Sequence, residues 1–158
     1  MIPNKITIEN NFVDEKFEQE VLNLVPTKGV SSMLRNQVLR YGADKPYHDK
    51  IVSEKIPEIF DRFRNFFEFD SVTINEYMKG QYIGWHIDSM EGGPEVVIIS
   101  LLSAAKLDFR KGDKTISFNI PRYSLTRFSE EIRTEWEHNT KATERRISIV
   151  FRNSKACG

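Results

Sequence analysis

The chain has 158 residues, 39% of them hydrophobic, and its 23 basic side chains balance 23 acidic ones. This size and composition fit one ordinary domain and exclude a disordered or collagen-like chain. The zero net charge excludes a protein held on phosphate backbones by its global field, so any nucleic-acid contact has to be local.

Met1–Lys5 lacks the apolar stretch of a secretory leader, so the expected location is cytoplasmic, or nuclear in a eukaryote. Asp14 can cap a helix over about 14–24, where Phe17, Val21, Leu24 and Val25 recur at helical spacing until Pro26 stops it. Residues 28–64 carry 8 basic against 5 acidic groups. Within them Gly29–Tyr47 is polar and turn-rich, with a short strand-like piece at Gln37–Tyr41 before Gly42. Pro57 suits the first turn of a second helix, whose stripe of Ile59, Phe60, Phe63, Phe66 and Phe67 belongs to the core.

From Ser71 onward the pattern turns to short β-rich runs: Val72–Met78, Tyr82–His86, Glu95–Leu101, Lys106–Arg110, Thr115–Ile120, Ser124–Phe128, Thr134–His138 and Arg146–Arg152. The most apolar stretch, Val96–Ala105, includes two serines and is far shorter than the roughly 18 residues of a membrane-spanning helix. No membrane association is expected. About eight strands at spacings near ten residues predict a mainly β fold with flanking helices (α+β). Its form would be a double-stranded β-helix, the cupin-like jelly roll, with about two helices packed outside. No repeat or linker divides the chain, so residues 1–158 are expected to form a single domain, acting as a monomer. The lone cysteine, Cys157, can form neither an internal disulfide nor a multi-cysteine zinc site.

His86 and Asp88 stand two apart at the end of a strand-like run, so their side chains share a face. His138 lies on another such run. Two histidines and a carboxylate on a rigid sheet form the facial arrangement that binds Fe(II) and leaves positions open for oxygen and a chelating cosubstrate. Taken alone, His138 reads more readily as a surface or core histidine than as a ligand. On the last run Arg146, Ser148, Val150 and Arg152 share one face, and Ile147, Ile149 and Phe151 the other. With the apolar face turned outward against helices, both arginines would sit unpaired in a barrel interior. That arrangement calls for an anion, and a dicarboxylate would satisfy both; a face meeting solvent is the competing reading. Thr73, Asn75 and Tyr77 repeat the pattern, and their amide and hydroxyl can bind carboxylate oxygens or serve structure alone.

An ordered set of segments resembles the AlkB family of Fe(II)/2-oxoglutarate-dependent dioxygenases over roughly residues 35–153. The segments are Arg40-Tyr41-Gly42 with Tyr47, Asn75-x-Tyr77 followed by Gly80, His86-x-Asp88, Ser100-Leu101-Leu102, Arg133-x-x-Trp136-x-His138, and Arg146 through Arg152. The resemblance implies that His86, Asp88 and His138 bind iron. It implies that Arg146 pairs with the distal carboxylate of 2-oxoglutarate, assisted by Asn75 and Tyr77, with Ser148 beside them and Arg152 near the chelating end. With O2 as third reactant, His86, Asp88, His138 and Arg146 would be the catalytic set. Succinate and CO2 would be released as a substrate C–H bond is hydroxylated. On an N-methyl group the product sheds formaldehyde; on an ordinary carbon it is a stable alcohol. Residues 28–50 would form a substrate lid in which Arg35, Arg40, Tyr41 and Tyr47 meet the phosphates and stack on an extruded base of RNA or DNA. Trp85 and Trp136 read as core or rim residues.

Some positions depart from the family pattern. DNA-repair members commonly place an acid just beyond His-x-Asp to contact an exocyclic base amine; here Ser89 and Met90 intervene before Glu91. Ser148 stands where the bacterial repair enzyme has asparagine. Ile120-Pro121-Arg122-Tyr123-Ser124-Leu125 resembles the stretch before the second histidine in members that hydroxylate modified wobble uridines of transfer RNA. The alternatives are a dioxygenase acting on a protein side chain or small molecule, and a non-catalytic binding module on the same fold.

Overall fold

A computed structural model describes residues 5–44, 47 and 50–157. Residues 45, 46, 48 and 49 of the expected lid, and the Cys157 side chain, lie outside what it describes. In chain order the strands are β1 (Ile6–Glu9), β2 (Gln37–Gly42), β3 (Ser71–Tyr77), β4 (Tyr82–His86), β5 (Glu95–Leu101), β6 (Ala105–Lys111), β7 (Lys114–Ile120), β8 (Leu125–Ser129), β9 (Glu137–Lys141) and β10 (Arg146–Arg152). They form two antiparallel sheets, a six-stranded one ordered β1-β8-β5-β10-β3-β2 and a four-stranded one ordered β4-β9-β6-β7. This is the expected jelly roll.

Strands β3 and β10 are buried on both faces, as central strands between two covered layers must be. Outward, Val72, Ile74, Ile147, Ile149 and Phe151 pack under helix α1 (Glu15–Leu22) and a 3-10 turn at Glu58–Phe63. Phe151 sits among Phe60, Phe63, Phe67 and Phe69, with ring centroids 5.0–5.8 Å away. Inward, Val96, Ile98 and Val150 meet Leu107, Phe109, Ile120 and Phe128. These residues fill one part of the space between the sheets, and polar side chains line the rest.

Helix α1 starts where Asp14 caps the Phe17 amide at 3.0 Å. It is docked by buried Glu18, whose carboxylate accepts from Arg122 and from the Leu102 amide at 2.8 Å. The second expected helix is only that 3-10 turn, with Pro57 as its cap. Its stripe is core at Phe60, Phe63 and Phe67, whereas Phe66 is 59% exposed. The expected strand Thr134–His138 begins three residues late because α2 (Glu130–Thr134) precedes it. Ile132 and Arg133, adjacent in the chain, are both buried, which neighbouring positions on a helix face allow and a strand covered on one face would not. No helix among the described residues is long and apolar enough to cross a membrane.

Phe151→Ala removes the ring on which four others converge. It is expected to lower the unfolding free energy by about 3–5 kcal/mol, read as a lower midpoint in denaturant unfolding.

Candidate functional site

The end of β4 and the start of β9 pair so that His86 faces His138 across the ladder, their ring centroids 4.3 Å apart. Asp88, just past β4, completes a group whose ligand atoms all lie within 4.8 Å of one another. Asp88 Oδ1 is 3.1 Å from His86 Nε2 and 3.5 Å from His138 Nε2. His86 Nδ1 donates to the Gly84 carbonyl at 2.7 Å, which orients the ring and turns Nε2 toward the group. His138 Nδ1 is buried without a hydrogen-bond partner.

The group is electrostatically divided. Burial pushes the Asp88 carboxyl up, but Arg152 and the hydrogen bond from His86 outweigh it and hold the carboxyl well below its usual range. Burial lowers the His138 pKa to about 4, so that ring is neutral. Burial also lowers His86, yet its bonds to Asp88 and Gly84 raise it overall. A neutral imidazole and an ionised carboxylate are the forms that bind a metal.

The loop carrying Asp88 is held from beneath by Arg133, which is fully buried. Its guanidinium donates to the carbonyls of Asp88 (2.9 Å), Ser89 (2.8 Å) and Gly93 (3.0 Å). Gly93 has φ +93°, and a Cβ there would meet the Asn153 carbonyl at 2.3 Å, so the return of this loop requires glycine.

The three residues open into a cavity of about 440 Å³ between the sheets. Arg146 lies along its wall, 2% exposed. Its Nη2 donates to Ser100 Oγ at 3.0 Å, while its Nε has no partner. Burial pushes its pKa below the ordinary arginine value, with only Tyr77 opposing. Tyr77 lies 5.8 Å under the guanidinium, and Ser148 and Asn75 face each other two residues along the ladder. A buried guanidinium with a hydroxyl but no carboxylate beside it fits the carboxylate of a bound dicarboxylate.

Two expectations are corrected here. Arg152 is not unpaired: both its Nε (3.1 Å) and its Nη2 donate to Asp88 Oδ2. Tyr41 is not at the site. On β2 it alternates with Arg40, so its ring turns outward into the aromatic core, 7% exposed. The structure does bring Arg35, Arg40 and Tyr47 to the cavity with Asn75, Tyr77 and Ser148. Arg35 donates to Asn75 Oδ1 at 2.9 Å, and the Arg40 guanidinium stacks 4.0 Å over Tyr47. Trp85 lines the cavity with Arg110 stacked at 4.4 Å, and Trp136 is core. Sequence reasoning missed Asp44 and gave Ser100 and Arg133, both within the matched segments, no role. Asp44 was signalled only by its place four residues after Arg40 across Gly42.

Residues 16–152 match the model of the 2OG-Fe(II) oxygenase superfamily. The chain is similar to tRNA (carboxymethyluridine(34)-5-O)-methyltransferase ALKBH8 of Macaca fascicularis, 31% identical over 123 residues, which is 68% of this chain and 18% of that protein. The chain thus spans about a fifth of that relative's length. Among solved structures it resembles OsALKBH1, with TM-score 0.70 and 14% identity over 97% of this chain and 100% of that one. It also resembles the viral collagen prolyl hydroxylase of Paramecium Bursaria Chlorella virus-1, with TM-score 0.63 and 13% identity over 95% and 96%. Both likenesses are of fold.

Replacing Arg146 by Met keeps the length of the side chain and removes its charge. Without added anion, Arg146→Met is expected to stabilise the fold by about 1 kcal/mol or more, read as a higher unfolding midpoint. A lower midpoint would mean that the resting fold already satisfies the guanidinium.

Proposed function

The chain belongs to the 2OG-Fe(II) oxygenase superfamily and is an AlkB-like Fe(II)- and 2-oxoglutarate-dependent dioxygenase, and we propose that its substrate is a nucleobase in RNA or DNA. The base would be demethylated oxidatively, or hydroxylated on an existing modification. The observation that carries the reading is the joining, in one cavity, of the His86–Asp88–His138 group with a cation and aromatic wall of Arg35, Arg40 and Tyr47. Arginine and tyrosine serve both halves of a nucleotide, its phosphate and its base. The macaque relative is named for action on a carboxymethyluridine of tRNA, which supports the same class.

In this reading His86 and His138 would hold iron through Nε2, and Asp88 through Oδ1. Bound iron, with 2-oxoglutarate and O2, supplies an oxidant that hydroxylates a C–H bond as the cosubstrate becomes succinate and CO2. Arg152 keeps Asp88 Oδ2 occupied, so Oδ1 is the oxygen that would face a bound metal. Arg133 fixes the backbone on which Asp88 stands. Arg146 takes the distal carboxylate of the cosubstrate, with Tyr77 below it and Asn75 and Ser148 along its length. Residues 28–50 act as the lid of a single domain.

With Fe(II), ascorbate, 2-oxoglutarate and O2, the protein is expected to form succinate, and Asp88→Ala to abolish it. Methylated oligonucleotides should stimulate the reaction. Charge reversal at both Arg35 and Arg40 should cut that stimulation about tenfold or more. Stimulation by peptide pools and not by oligonucleotides would transfer the reading to hydroxylation of a protein side chain.

A further inference from the structure

Arg146 and Arg152 stand six residues apart on β10, about 20 Å along an extended strand. They mark the two ends of the cavity. Asp88, bonded to Arg152, lies at the second end. Cross-strand pairing sets Arg40 opposite Thr73 and Thr73 opposite Val150, so Arg40 is also at the metal end, far from the anion pocket. Asp44 joins it there, lining the cavity with its side chain only 8% exposed.

The backbone between them is firmly held. Val52 N donates to the Arg40 carbonyl (2.7 Å), Gly42 N to Ser53 (2.9 Å) and Ala43 N to Asp70 (2.8 Å). Gly42 has φ +87°, and a Cβ there would lie 2.3 Å from the Asp70 carbonyl, so this turn requires glycine. It delivers Asp44 beside Arg40, with Arg40 Nε 3.6 Å from Asp44 Oδ2. That is an ion pair too long for a hydrogen bond, and the Nε is buried with no partner. The other groups facing Asp44 are Arg152, Asp70 and the Thr73 hydroxyl. Arg152 is committed to Asp88, and Asp70 to Ser154. A carboxylate has about four acceptor positions, so Asp44 retains capacity next to an idle donor.

We infer that Arg40 and Asp44 form a recognition pair for a neutral lactam edge, a ring carbonyl beside a ring N–H, and that they select the base presented to the metal. This rests on the nucleobase reading and names its class: uracil-like or guanine-like rings, whose carbonyl takes the Arg40 N–H and whose N–H donates to Asp44. Adenine and cytosine methylated on their ring nitrogens present a methyl group where Asp44 needs a donor. A peptide bond is trans, with its carbonyl and N–H on opposite sides, and cannot offer both to one pair. The pair also supplies the base-contacting acid that is missing just after Asp88.

The test uses the holoprotein, with Fe(II) and 2-oxoglutarate under argon. Fluorescence anisotropy would read its binding to single-stranded oligouridine and to the same strand carrying N3-methyluridine, in ribose and deoxyribose forms. Oligouridine is expected to bind about tenfold more tightly, with Asp44→Ala and the similarly sized Asp44→Asn each bringing that ratio to about twofold or less. The ratio compares two probes on one preparation, so an unfolded fraction cancels. Equal binding of both probes to the wild type, or a ratio unchanged in the variants, overturns the inference and leaves the nucleobase reading standing. Failure to bind either probe overturns that reading itself.

Discussion

Strand β10 is buried on both faces, and the architecture follows from that constraint. Its odd residues, Ile147, Ile149 and Phe151, must be covered by the aromatic layer beneath α1, while its even residues face the space between the sheets. A shift of one residue in register would put two arginines into the aromatic core and three large apolar side chains into the cavity. The pairing to β3 runs the full length of the strand, and the pairing to β5 covers Ile147–Phe151. They fix the register and, with it, the positions of Arg146 and Arg152. One alternating pattern therefore specifies the fold and furnishes the cavity.

The polar half of the interior is costly to build, and its groups are arranged so that most partner one another. Asp88 is the junction: one oxygen turns to two histidines, the other to Arg152, and its backbone carbonyl to Arg133. Burial alone would neutralise such a carboxyl; the adjacent guanidinium keeps it ionised. His138 pays for burial by losing its proton, which leaves a neutral ring next to an anion. The group most poorly served is Arg146, held by one hydroxyl and a tyrosine ring. Stability unspent there is what a bound dicarboxylate recovers in the proposed cycle, so the fold and the affinity for the anion draw on the same buried charge.

Much of this was legible in the chain because period-two alternation and turn residues are local signals. The eight later strands, the outward face of β10 and the His-x-Asp pair all came from such patterns. The same rule, carried across Arg40-Tyr41-Gly42, separates Tyr41 from Arg40, yet a motif read as a unit hid that alternation and placed both at the site. α2 was missed because its five residues are too few to show a helical period, inside a stretch whose flanks look β-like. β1 is only four residues long and gains its stability from pairing with β8, far away in sequence. The partnership of Arg152 with Asp88 joins two separate strands' ends and has no local signature. Asp44 was hidden for the same reason: only the folded turn at Gly42 reveals that it enters the cavity.

The cavity is therefore ordered along one axis. At the Arg146 end the wall offers a guanidinium, a phenol, an amide and a hydroxyl, a set suited to oxygen anions. At the other end it offers an acceptor, Asp44, beside a donor from Arg40, a pair that in the proposed reading suits a flat heterocycle with mixed edges. The His-Asp-His group lies nearer this second end because Asp88 is tied to Arg152. A small dicarboxylate spanning from Arg146 would reach toward that group from one side, leaving the approach from the Arg40–Tyr47 side to the molecule being oxidised. In the proposed reading, separation of anion-binding and base-reading groups along the cavity would let two ligands meet at one centre without competing for the same contacts.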